Sequence, residues 1–161
     1  MPEPRNEELP LRRAAEICRG TLRLMAHLGY YGVTEMTLAN NRRADIAAVG
    51  PGGDVWMIEI KSSVQDFRSD TKWREYIDYC DRLTFAVGAD FPQELIPPEA
   101  GLIVADAFYG AVLREAPEMR LAPARRKAVT LRFARLAAAR LTGLADMGWT
   151  PGEDTLTSPL P

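Results

Sequence analysis

Histidine is almost missing from this chain: His27 stands alone among 161 residues. A lone imidazole excludes a multi-histidine metal site and argues against Ser-His-Asp or Cys-His catalysis. Its place near the end of a predicted helix suits a structural role, favourable to the helix dipole. Cysteine is nearly as scarce. Cys18 and Cys80 lie far apart without metal-ligand spacing, which reads as two buried thiols in a reducing compartment. No stretch approaches the roughly 20 apolar residues of a membrane span. The opening MPEPRNEELPLRR carries acids where a secretory signal has a basic and then an apolar run. The expectation is a cytoplasmic protein with no membrane partner. Lysine is the third shortage, since of 20 basic residues only Lys61, Lys72 and Lys127 are lysine. Arginine serves wherever any cation will do, so a lysine marks a place that needs a compact ammonium. Repeats and low-complexity tracts are absent too.

What remains is ordinary globular material, 47% apolar and 26% charged, in a length that suits one domain. The net charge of −2 hides a division. Residues 119–145 hold Arg120, Arg125, Arg126, Lys127, Arg132, Arg135 and Arg140 and no acid, on a body that is otherwise strongly acidic. A charge run of this kind is often a solvated helix face; on an acidic body it also suggests one place of contact with a polyanion.

Periodicity places the elements. Residues 1–8 read as a flexible tail, 9–145 as a single α/β domain and 146–161 as a disordered tail. Ala15, Cys18, Leu22 and Met25 mark a helix over about 9–28, closed by Gly29. Strands are expected at 34–38, 43–49 and 55–60, the last two joined through Gly50-Pro51-Gly52-Gly53-Asp54 as an antiparallel hairpin. That register sets Val49 against Val55 and Asp45 against Glu59. Residues 62–69 read as polar connection. A helix follows over about 70–80, with Ser69 as its cap and Trp73, Tyr76, Ile77 and Cys80 on its inner face. A strand at 82–87 then lies parallel to the third through a right-handed crossover. Short strands at 101–105 and 110–114 follow. In the last helix, about 123–141, Leu131, Ala134, Ala138 and Leu141 form an apolar stripe, while the other side mixes Val129, Phe133 and Leu136 with arginines.

The chemistry concentrates in Asp45 and in Glu59-Ile60-Lys61. Residues i and i+2 of a strand share a face, so Glu59 and Lys61 point together while Ile58 and Ile60 point into core. With Asp45 opposite, two carboxylates and one ammonium converge. Carboxylates this close repel unless a cation lies between them. Lys61 neutralises part of that, and Mg²⁺, which takes one or two carboxylates and keeps waters and phosphate oxygens as further ligands, neutralises more. Such a site suits metal-dependent phosphodiester hydrolysis. Glu-x-Lys alone reads as a strand-surface ion pair; the in-register Asp, the scarcity of lysine and the order of elements favour function.

Those residues resemble a known group. Asp on the second strand and Glu-x-Lys on the third, followed by a helix and a fourth strand, resemble the PD-(D/E)XK nuclease superfamily. More closely, the run from about Leu11 to Leu141 resembles the MmcB family of bacterial DNA repair proteins, on NNRRADIAAVG, WMIEIKSSVQDFRSDTKWREYIDYCDRLTFAV, GLIVAD and LAPARRKAVTLRFARLAAARL. Ala44 stands where the superfamily often has proline. The resemblance implies a restriction-endonuclease-like mixed central sheet flanked by helices and a DNA repair role as an Mg²⁺- or Mn²⁺-dependent endonuclease. It makes Asp45 and Glu59 the metal carboxylates, the Ile60 carbonyl a further ligand, Lys61 the catalytic lysine, and Glu16 or Glu35 an additional acid. DNA that is damaged, branched or single-stranded is the expected partner, bound without sequence readout through Arg43, Lys72, Arg125, Arg126, Arg132 and Arg135. A homodimer is in keeping with the superfamily. The alternative is a non-catalytic DNA-binding accessory protein on the same fold that recruits other repair proteins, and RNA stays open as a substrate.

Overall fold

The computed structural model describes residues 8–146; the expected tails at 1–8 and 146–161 lie outside them apart from Glu8 and Asp146. Helix α1 (Glu8–His27) leads into a six-stranded sheet whose spatial order is its sequence order: β1 (Tyr31–Thr37), β2 (Arg43–Val49), β3 (Val55–Lys61), β4 (Arg82–Val87), β5 (Gly101–Ala105) and β6 (Gly110–Arg114). A short helix α2 (Val64–Ser69) and a 3₁₀ helix (Trp73–Tyr79) join β3 to β4, and α3 (Pro123–Ala145) closes the fold. The β1–β2, β2–β3 and β5–β6 pairs are antiparallel, and β3–β4 and β4–β5 are parallel. The sheet is therefore mixed and flanked by helices on both faces, as expected of the α/β class.

Alternation along β3 builds both layers, because every residue of that strand is buried. Trp56, Ile58 and Ile60 face Ile17, Leu24 and Met25 of α1. Val55 and Met57 face the opposite layer, where Trp73 and Tyr76 of the 3₁₀ helix and Val129 and Leu136 of α3 pack on Phe85 and Val87. The expected hairpin holds, with Val49 opposite Val55 and Gly53 supplying the turn at φ 81°. The first strand begins earlier than expected, at Tyr31, because the left-handed Gly29 turns the chain directly out of α1. It ends at Thr37, where Leu38 leaves the ladder to bond Arg42 and Asn41 across a tight turn.

Four expectations fail. The connection at 62–69 contains α2, capped by the Ser63 side chain on the Asp66 N–H. Ser69 lies at the end of that helix, not at the start of the next. The segment after it is 3₁₀ and not α-helical: Trp73 and Tyr76 are buried three residues apart, a spacing that eclipses side chains in a three-residue turn. The stripe on α3 is also reversed. Val129 and Leu136 are buried and Phe133 is packed against them, while Leu131 and Leu141 are exposed. The two stripes lie two residues apart, about 200° around a helix. Arginines decide between them. Arg126 bonds Asp81 and the Gly53 carbonyl at one end of the seam, and Arg140 reaches the Thr34 hydroxyl at the other.

Candidate functional site

The sheet opens an acidic cleft at the carboxyl end of β3. It measures about 730 Å³ and is lined by Asp45, Glu59, Lys61, Asp66, Asp70 and Tyr76, with Arg42 and Arg43 at the β2 end. Its centre is a local interruption of sheet pairing. The β2–β3 ladder runs from Val49↔Val55 to Ile46↔Ile58 and stops before Asp45. On the other side, β1 pairs through Thr34↔Ile46 and Met36↔Ala44, skipping Glu35, which turns left-handed at φ 52°. Backbone in that region is disfavoured for a residue with a Cβ, and such strain gathers at working sites.

Side chains replace the missing ladder. The Asp45 N–H donates to Glu59 Oε1 at 3.3 Å, and the Ile60 N–H donates to Asp45 Oδ2 at 2.8 Å. Each carboxylate thus anchors on the neighbouring strand through one oxygen, and both residues line the cleft. Lys61 Nζ donates to Asp70 Oδ2 at 2.7 Å and lies 3.8 Å from Glu59 Oε2. Glu59 and Lys61 are only 4% and 5% exposed, so their charges interact with little screening by water.

The electrostatics follow. Burial, and after it the facing Asp45, push the Glu59 carboxyl up to about 8. Burial raises Asp45 as well, against the opposing pull of the Ile60 amide and Lys61. Around Lys61 burial is the largest influence and works against the charge, but the Asp70 hydrogen bond and the negative charges of Asp70, Glu59 and Asp66 together outweigh it and raise the ammonium above its usual range. The site is an uncomfortable carboxylate pair beside a fixed cation. Among the described residues no three histidine, cysteine, aspartate or glutamate side chains are gathered to hold a metal ion. A two-carboxylate donor set matches a hard cation that keeps waters and accepts phosphate oxygens, and does not match a closed zinc cage.

The structure brings Asp45, Glu59, Lys61 and Arg43 to one cleft and sets the other candidates elsewhere. Glu16 bonds Arg12 at 3.0 Å outside the cleft lining. Glu35 is exposed and sits 3.7 Å from Arg43. Lys72 is exposed beside the cleft, its N–H donating to Asp70 Oδ1. Arg125 lies over the Tyr79 ring at 4.5 Å. Arg126 is not an available phosphate contact: both of its terminal nitrogens bond Asp81, at 2.8 and 2.7 Å. None of Lys72, Arg125, Arg126, Arg132 and Arg135 lines the cleft. Sequence reasoning missed Asp66, which accepts from the Ser62 N–H and hydroxyl, and Asp70. Their four-residue spacing was the available signal, but six helical residues are too few to show a period. Tyr76, expected as core, is buried and also donates its hydroxyl to the Arg43 carbonyl at 3.0 Å.

The fold and cleft define a mixed α/β protein that presents a carboxylate pair and a lysine at the carboxyl end of its third strand. The family model described as DNA repair protein MmcB-like matches residues 2–148, and the chain belongs to the MmcB-like DNA repair family. A protein of unknown function from Silicibacter pomeroyi, SPO1766, has a similar solved structure: 42% identity, a TM-score of 0.83, and coverage of 86% of this chain and 95% of that one. No curated protein matches at a significant level. Among the described residues no helix is long and apolar enough to cross a membrane.

Proposed function

We propose that the protein is a metal-dependent DNA endonuclease of the PD-(D/E)XK superfamily, acting in repair on DNA structure and not on sequence. The observation that carries this reading is the crossed pair of half-buried Asp45 and buried Glu59, set beside buried Lys61 where two ladders break. A scaffold gains nothing from holding two carboxylates together at the edge of a cleft. The residues fit Mg²⁺ or Mn²⁺, held by Asp45 and Glu59 with the Ile60 carbonyl as a further candidate. When bound, the ion supplies charge for the phosphate oxygens and lowers the pKa of a coordinated water. Asp45 and Glu59 fix its place, because each is already oriented by a backbone amide. Glu59, raised by burial and the facing Asp45, would be favoured in its ionised form by a cation held between the two carboxylates. Lys61 stays an ammonium under the hold of Asp70, so it donates a hydrogen bond to the attacking water or to the phosphate oxygen that gains charge, and it does not act as a base. Arg43 stands exposed at the mouth, suited to a backbone phosphate.

The test is cleavage of labelled single-stranded, duplex, nicked, flapped and four-way-junction DNA with Mg²⁺ or Mn²⁺ against EDTA, alongside a parallel RNA substrate. Metal-dependent cutting that Lys61→Ala lowers by about 10²-fold or more, with DNA affinity kept, is the expected result. Tight binding without cutting under either ion would favour the accessory-protein reading.

A further inference from the structure

The turn between β5 and β6 carries two large aromatic side chains out in water. Phe108 is 72% exposed and Tyr109 is 51% exposed. The turn that bears them is held firmly. Asp106 Oδ1 accepts the N–H groups of both Phe108 and Tyr109, at 2.7 and 2.9 Å, and the Asp106 N–H donates to the Tyr109 carbonyl. Arg23 of α1 donates to the Phe108 carbonyl at 3.1 Å. Beneath the turn lies Gly20 of α1, where any Cβ would run into the Asp106 and Tyr109 carbonyl oxygens. The side chain of His27 meets the Tyr109 ring edge-on at 6.4 Å. Two adjacent aromatic rings on an ordered support present flat apolar faces that a second ring can stack on.

Location and charge point to that use. Strands β3, β4 and β5 run parallel, so the end of β5 lies at the same end of the sheet as Lys61. Two strand spacings, about 10 Å, separate β5 from β3. Along α1, Ala14 lines the cleft and Gly20 underlies the turn, six residues or about 9 Å further on. Arg19 and Arg23 are exposed one helical turn apart on the same helix. The nearby acids are engaged, Asp106 by the turn's own amides and Glu16 by Arg12.

We propose that this turn is a stacking platform for unpaired bases of a single strand that leaves the cleft, with Phe108 and Tyr109 under the bases and Arg19 and Arg23 at the phosphates. The assignment rests on the DNA reading of the cleft. Stacking on an aromatic ring contributes on any base and suits a protein that reads structure and not sequence.

Binding of labelled oligothymidine and of a blunt duplex of equal length tests it, with wild type, the double variant Phe108→Ala/Tyr109→Ala, and Phe108→Trp. The double variant is expected to lose at least about tenfold in affinity for oligothymidine and less than about twofold for the duplex, with an unchanged melting temperature. Phe108→Trp is expected to keep its affinity and to lose fluorescence when oligothymidine binds. Unchanged oligothymidine affinity in the double variant, or equal loss on both ligands, would overturn the platform. Wild type that binds neither ligand would overturn the DNA reading itself.

Discussion

A buried acid faces a cation at each end of the central sheet, and the two pairs behave in opposite ways. At the amino end of β4, Asp81 accepts from the Val55 and Leu121 amides at 2.7 and 2.9 Å and from both Arg126 nitrogens. Burial alone would raise its pKa, but those donors outweigh it and hold the carboxyl below its usual range. At the carboxyl end of β3, Glu59 has one amide at 3.3 Å and Lys61 at 3.8 Å, and it rises to about 8. Burial is common to both, so burial alone does not set the direction of the shift. The number of donors does. Asp81 is satisfied by the fold, whereas Glu59 is left with an unmet demand that a cation from outside would meet.

Breaking the satisfied end should produce the largest effect on folding. Arg126→Ala leaves Asp81 buried without its guanidinium and is expected to cost about 3–5 kcal/mol in urea unfolding, with cleavage chemistry unaffected in the protein that remains folded. A loss of DNA affinity at full stability would instead make Arg126 a phosphate contact.

The ends should also respond to pH with opposite sign. The Glu59 pKa is raised in the folded state, so its contribution is complete below about 4.5, its unfolded value, and is lost as pH climbs through about 8. Asp81 is depressed, so its contribution is present above its unfolded value and is lost as pH falls. Melting curves from pH 5 to 9 should show wild type losing stability relative to Glu59→Gln by up to a few kcal/mol as pH rises. Parallel curves would mean that Glu59 is not strained.

A smaller effect should separate the cleft from the basic helix. Arg132→Glu with Arg135→Glu is expected to weaken DNA binding and to flatten the dependence of log affinity on log salt by about 2 if both meet phosphate. An unchanged slope would remove α3 from the interface. The smallest effect belongs to the stripe that faces away: Leu141→Ser should alter stability by less than about 0.5 kcal/mol, against about 2–5 kcal/mol for Leu136→Ala in the buried seam.

Local rules made part of this molecule legible. Period-two alternation put Glu59 and Lys61 on one face, and the Gly-Pro-Gly-Gly-Asp turn set a hairpin register from Val49↔Val55 to Ile46↔Ile58, beyond which Asp45 meets Glu59 by a side-chain bond and not by ladder pairing. What stayed hidden was nonlocal or too short. Asp81 and Arg126 are 45 positions apart, and nothing in either neighbourhood announces the other. On α3 two apolar stripes were available, and the choice depended on the anchors at Arg126 and Arg140. Asp66 and Asp70 sit on and just beyond a six-residue helix inside a polar stretch. The interruption of the β1–β2 ladder at Asp45 coincides with a left-handed Glu35, which hydropathy does not register.

The crossed bonds at the cleft carry one more consequence. Because the Asp45 N–H donates to Glu59 and the Ile60 N–H donates to Asp45, two backbone amides each point at an ionising oxygen. Their nitrogen and proton chemical shifts should move as the carboxylates lose protons, and move again when a divalent ion is added. The molecule thus holds a spectroscopic gauge of its own cleft, readable in NMR titrations without any substrate.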